Sequence, residues 1–291
     1  MQRLIFGCGY LGKRVAKSWL DAGDDVTVVT RSADRAAAFS AEEYQAITAD
    51  VTQPASLANL PPADTLLFAV GYDRSAGASI QEVYAQGFQN VLDALPVVAR
   101  RVIYISTTGV YGGADGGWVD EATPPAPSRP GAVASLAAEE ALRASRFADR
   151  GIALRLAGIY GPDRVPFLKQ LAAGEPIAAP SDGHVNLIHV DDAATATLAA
   201  ADAGNPLPPV LCVSDGSPPR RADYYGEVAR LLEAPAPTFI DPPVNSPRAA
   251  RAAADKKVRS DLMKQSLGFT LSYPSYRAGL AAILGKADLD G

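Results

Sequence analysis

The chain has 291 residues, with 27 Lys and Arg against 32 Asp and Glu, a formal net charge of −5, and 48% hydrophobic residues. That length buries a sizeable core, as one large α/β domain or a core with a smaller appended lobe. The acidic balance and the lack of a Lys/Arg cluster give no electrostatic footprint for nucleic acid or an anionic membrane. No apolar stretch reaches the ~18 uninterrupted residues of a membrane span, so the expected partners are small molecules.

The first element is an apolar run, Leu4 to Phe6, leading directly into Gly7-Cys8-Gly9-Tyr10-Leu11-Gly12 and then helix-like sequence from Lys13 to Ala22. A Gly-x-Gly-x-x-Gly between a strand and a helix is the sequence form of a dinucleotide-binding βαβ turn. Gly7 permits the tight turn, Gly9 lets the backbone approach a pyrophosphate, and Gly12 allows close packing of helix on strand. Tyr10 and Leu11 complete the loop, and the helix N-terminus offers unpaired N–H groups to phosphate. A strand starting this early leaves no room for a signal peptide, so the cytosol is the expected location. Cys8 and Cys212 lack metal-ligand spacing and read as small apolar residues.

The second strand, Asp25 to Thr30, ends about where NAD-binding chains place an acidic residue on the ribose. Here the residues are Thr30-Arg31-Ser32. A guanidinium and two hydroxyls suit a 2′-phosphate that a carboxylate would repel, which favours NADP over NAD; the plainer reading makes Arg31 a solvated loop cation.

Further strand-length runs follow at Ala46 to Ile47, Thr65 to Val70, Val102 to Ile105 and Ala153 to Leu156, with helical patterns between most of them. Such alternation predicts a parallel sheet with ligand sites at the strand C-terminal ends. Three of those ends carry distinctive loops: Gly71-Tyr72-Asp73-Arg74 after Val70, Ser106 to Gly112, and Ala157 to Pro162. After Pro162, Pro-rich connections separate shorter helices. The expected architecture is α/β: a Rossmann doubly wound parallel sheet over 1–160, then a smaller C-terminal substrate lobe over 161–291 with some segments returning to the sheet. The basic stretch Arg248 to Lys257 is a solvated face or a clamp on an anionic substrate.

The motifs together resemble the extended short-chain dehydrogenase/reductases, the NAD-dependent epimerase/dehydratase family, over nearly the whole chain. The matching residues are the glycine loop, Asp50-Val51, Ser106-Thr107-Thr108-Gly109-Val110-Tyr111-Gly112, Leu154-Arg155-x-x-Gly158-x-Tyr160-Gly161-Pro162, and Asn186-Leu187-Ile188-His189-Val190-Asp191-Asp192-Ala193. The resemblance implies cofactor selection by Arg31, an adenine contact from Asp50 and Thr107 on the reacting oxygen; for Asp50 a plain turn role stands beside it. Tyr160-Gly161-Pro162 resembles a family turn that shapes the substrate site, with Arg164 available to bind an anionic group; for both a structural role stands beside it. His189 ties the two lobes together, and Asp191-Asp192 cap a helix from Ala193. Two histidines and scattered carboxylates imply no metal site.

The family's catalytic Tyr-x-x-x-Lys is missing. Counting back from Glu139, its positions fall at about Gly131 and Ser135, neither of which transfers protons near neutral pH. Activity therefore does not follow from resemblance. Replacement acids come from Tyr72, Asp73, Tyr111, Tyr160 and His189, with Tyr111 chosen because it follows Thr107 on one loop. The sequence reads as an NADP-dependent oxidoreductase or epimerase-like enzyme of a small, possibly anionic substrate, or as a non-catalytic NADP-binding sensor or scaffold. Monomer and homodimer both fit; a dimer would use the helices Val83 to Leu95 and Val133 to Ala144.

Overall fold

The computed structural model describes residues 1–204 and 206–285; residues 286–291 of the expected second lobe lie outside it. Among the described residues the central element is a seven-stranded sheet. Its first five strands are β1 (Gln2–Phe6), β2 (Asp25–Thr30), β3 (Gln45–Thr48), β4 (Thr65–Phe68) and β5 (Arg101–Thr107). The strands Gly151–Leu156 and Val210–Val213 complete it beyond β5, in the order Val210–Val213, Gly151–Leu156, β5, β4, β1, β2, β3. Every pairing is parallel, so the sheet needs cover on both faces.

One face is covered by α1 (Gly12–Asp21) and the helix Val190–Asp202, which bury Val15, Trp19, Ala193 and Ala200 against Ile5, Val28, Ile103 and Leu154. The other face is covered by α3 (Gly87–Ala94) and α4 (Pro130–Ala144), around Phe6, Phe68, Phe88 and Tyr104. Between them, α2 (Ala33–Ala41) packs on the β2–β3 edge. The expected helix Val83 to Leu95 is not regular throughout: Glu82–Gln86 forms a π-helical turn before α3 begins. Gly87 is the hinge. A Cβ there would stand 2.7 Å from the Val51 side chain, and Asn90 donates to the Val51 carbonyl at 2.8 Å.

A third apolar cluster joins Tyr160, Leu171, Ile177 and Leu187 to Tyr224, Val228, Tyr276 and Leu280 from the last third of the chain. It is tied to the sheet through the helix Val190–Asp202, whose cap differs from expectation. His189, not the aspartates, is the N-cap, its ring Nδ1 accepting from the Asp191 amide at 3.3 Å. Asp192 instead accepts from the amides of Ser272 and Tyr273, and Asp191 pairs with Arg14 at 2.7 Å. No described helix is long and apolar enough to cross a membrane.

Under the end of β5 lies a buried polar network. Ser106 donates to Glu139 Oε1 at 2.5 Å, and Arg155 grips the same carboxylate at 2.7 Å. Glu139 and Arg155 are 1% and 3% exposed. Removing one partner strands a charge in the interior, costing about 3–5 kcal/mol, whereas replacing both with apolar residues of similar volume costs less. Urea denaturation of Glu139→Leu, Arg155→Met and the double variant should therefore place both single variants below the double variant in stability.

Candidate active site

The strand order reverses between β1 and β4, and at such a switch point the two loops diverge and leave a crevice at the strand C-terminal ends. The crevice encloses about 1430 Å³. Gly7 (φ 89) forms its floor against the end of β4, where a Cβ would lie 2.3 Å from the Ala69 carbonyl oxygen. A Cβ on Gly12 would lie 2.3 Å from the Gly7 oxygen, so helix and loop touch there, while at Gly9 it would meet nothing within 4 Å. The Gly9 backbone thus faces open space. Beside it α1 begins with no side-chain cap and no acidic residue in its first turn, leaving its positive dipole end to an anion. This cradle suits a pyrophosphate.

Leu11 is the N-cap of α1, and Tyr10 closes the loop, its hydroxyl donating to the Pro162 carbonyl at 2.8 Å. The Tyr10 ring lies under the guanidinium groups of Arg14 and Arg164. Thr30, Arg31, Asp50, Val51 and Val70 line the crevice along the β2–β3–β4 ends. Asp50 closes a turn, its Oδ1 accepting from the amide and hydroxyl of Thr52. Arg31 pairs with Asp73 across the mouth at 2.9 Å. Ser32 departs from expectation: it is the N-cap of α2, accepting from the Arg35 amide, and does not line the crevice. In its place comes Arg35, whose guanidinium donates to the Cys8 carbonyl at 3.3 Å beside the glycine loop.

Thr107 stands at the end of β5 and lines the crevice, its Oγ1 accepting from the Gly109 amide at 3.0 Å. The expectation for Tyr111 is not met. The short turn Thr108–Tyr111 points it inward, where it is 2% exposed, accepts from Arg155 at 2.8 Å and touches Cys212 Sγ at 3.0 Å. Burial pushes its phenol far up, so it neither reaches a substrate nor gives up a proton. Tyr160 is likewise corrected: it is fully buried against Gly279 and His189, and burial again raises its phenol. Tyr72 donates to the Ala78 carbonyl and packs on Tyr84 outside the crevice, and Arg74 points to solvent. Asp73 and Arg164 do line it. His189 is buried, and its burial lowers its pKa.

The far half of the crevice is walled by Arg129, His184 and Arg221, to which the sequence assigned no role, by Asn186 from the family motif, and by Arg248 and Lys256 from the basic stretch. Asp50 and Asp73 are the only carboxylates among the described lining residues, and both belong to the near half. The helix α4, where the family's Tyr and Lys would stand, has neither; Gly131, Ala132 and Ser135 face the crevice instead.

The model of the NAD dependent epimerase/dehydratase family matches residues 4–210. A Methylobacillus flagellatus protein assigned to the same family is 30% identical over 97% of both chains, with a TM-score of 0.78. The Bordetella bronchiseptica enzyme WbmG, solved with NAD and UDP, shares the fold at 20% identity and a TM-score of 0.82, covering 98% of this chain and 94% of its own. A Streptomyces sp. protein, 3-diazoavenalumate denitrifying reductase, is 31% identical over 147 residues, 45% of this chain and just under half of its own length at 46%. On the match of glycine loop, sheet order and family model, the chain belongs to the NAD-dependent epimerase/dehydratase family.

Proposed function

We propose that the protein is a nicotinamide-dinucleotide-dependent reductase of a small anionic substrate, with a preference for NADP. The observation that carries this reading is the division of one crevice into a glycine cradle with Thr107 and a cationic far half that no lining carboxylate offsets. The dinucleotide would be held by Gly7 to Gly12, with the adenosine end beside Thr30, Arg31, Asp50, Val51 and Val70. Arg31 and Arg35 put two guanidinium groups near the ribose, which is the chemistry of 2′-phosphate recognition. When bound, the reduced nicotinamide supplies a hydride.

The protein's own contribution is orientation and charge. Thr107 presents a hydroxyl to the reacting oxygen or nitrogen, while Arg221 and Arg248 draw an anion into the far half and hold it, with Arg164 adding charge beside Tyr10. With no Tyr or Lys on α4 and Tyr111 buried, an already activated imine or carbonyl suits the site best, because its reduction asks least of an acid. The Streptomyces relative, by its name a reductase acting on a diazo compound, is consistent with an activated substrate. The bare α4 also supports a second reading, a non-catalytic dinucleotide sensor, for which nucleotide binding would alter partner binding without turnover.

Calorimetry of NADPH and NADH separates the cofactor readings. Arg31→Asp should weaken NADPH by at least about tenfold, the loss of one charge-assisted contact, and leave NADH within about threefold; equal loss of both would remove the NADP preference. Assay against a panel of small keto- and imino-carboxylates then separates enzyme from sensor. Thr107→Val should lower turnover about 10²-fold, the usual cost of one hydrogen-bond donor at a reacting oxygen. Tyr111→Phe should lower the melting temperature with turnover within about twofold. Turnover unaffected by Thr107→Val would remove its role.

A further inference from the structure

Lys256 carries a buried positive charge with no ion-pair partner among the described residues. It is 6% exposed, its ammonium donates to the neutral carbonyl of Gly112 at 2.7 Å, and it forms no ion pair among the described residues. The adjacent Asp255 is committed elsewhere, its Oδ1 accepting from the His184 amide at 2.7 Å and lying 3.1 Å from the His184 ring. An ammonium has three donors, so two remain for the crevice that Lys256 lines.

The position is fixed by backbone rather than by a flexible stem. Asn186 brackets the residue, donating to the Lys256 carbonyl at 2.9 Å and accepting from the Val258 amide at 2.7 Å. The strand Lys257–Val258 pairs with Trp118–Val119, and Ala114 donates to the Asp255 carbonyl at 2.8 Å. A second cation stands close by. The point where a Gly109 Cβ would lie is 2.7 Å from Arg129 Nη2 and 3.2 Å from Thr107 Oγ1, so the absent side chain makes room for a guanidinium beside the Thr107 hydroxyl.

Burying an ammonium without a partner opposes folding, and a like charge beside it makes this worse. A buried ammonium with two donors turned to a crevice wall is therefore best stabilised by an anion that meets it there. We propose that Lys256 and Arg129 form the binding site for an oxyanion of the substrate, a carboxylate or phosphate, next to Thr107. The proposal rests on the reading of this crevice as an active site and names the group the substrate must carry. Burial, then the Arg129 charge, lower the Lys256 ammonium to about 8, with Asp255 acting in the opposite sense. Those are the charged groups that act on it.

The test is calorimetric titration of the full chain with benzoate and with phenyl phosphate, with and without saturating NADPH. Either probe should bind wild type at pH 7, the tighter one naming the oxyanion. K256M should weaken that probe at least tenfold and K256R by no more than about threefold. Between pH 7 and 9 Lys256 loses its proton, so wild-type affinity should fall about tenfold, while K256R, still charged, stays level. Equal affinity in wild type and K256M, a flat wild-type pH profile, or no heat from either probe would overturn the proposal. Should K256M fail to fold, the pH profiles of wild type and K256R decide alone. Lys256-dependent anion binding without NADPH binding would instead overturn the functional reading and leave the oxyanion site standing.

Discussion

The contact between Gly7 and the end of β4 sets the geometry on which the site depends. Strand order reverses between β1 and β4, so the chain must leave β1 through a turn lying directly against Ala69 and Val70. Only a residue with positive φ and no Cβ fits there, since a methyl group would sit 2.3 Å from the Ala69 oxygen. From that turn follow the close seat of α1 on Gly12, the open backbone at Gly9 and the crevice between the diverging loops. The helix dipole and the loop amides then offer a ready-made positive field where a pyrophosphate belongs.

The crevice is completed by chain that is remote in sequence. The third apolar cluster, built around Tyr160, Tyr224 and Tyr276, gives the segment after Tyr160 a core of its own. His189 and Asp192 fasten it to the sheet side through a helix cap and two backbone amides. This arrangement carries Arg221 and Lys256 to the crevice wall and sets Arg164 over the Tyr10 ring of the glycine loop. Beneath the floor, the Ser106–Glu139–Arg155–Tyr111 network fixes the end of β5 and with it the orientation of the turn that bears Thr107. Tyr111 belongs to this support, although its place in the loop suggested a part in the chemistry.

Much of this was legible in the sequence, for identifiable reasons. Strands buried on both faces read as continuous apolar runs, which is why β1, β2, β4, β5 and the strand Gly151–Leu156 stand out, and the glycine spacing follows from sterics that hold in any such turn. What failed was side-chain direction. Loop position told that Tyr72, Tyr111 and Tyr160 lie near strand ends, but Tyr72 folds back onto Ala78 within its own loop, and the other two turn toward partners distant in sequence: Tyr111 toward Arg155 and Cys212, Tyr160 toward Gly279. Ser32 was legible as a helix cap, a role its position just before α2 favours over ligand binding. Arg35 stands four residues after Arg31, on the first turn of α2, a spacing that could have revealed it. Lys256 lay within the basic stretch for which an anion clamp was one reading, whereas Arg129 had no such signal, because only the fold brings the segment before α4 beside the strand Lys257–Val258.

The central claim is that one crevice holds a dinucleotide along the glycine loop and presents its reactive end to Thr107 and a cationic wall. A crystal structure of the protein grown with NADPH tests this most directly. The account predicts pyrophosphate density over Gly9 at the start of α1, the 2′-phosphate between Arg31 and Arg35 with the Arg31–Asp73 pair opened, and the nicotinamide beside Thr107. Nucleotide density elsewhere on the surface, or an empty crevice at saturating NADPH, would contradict it.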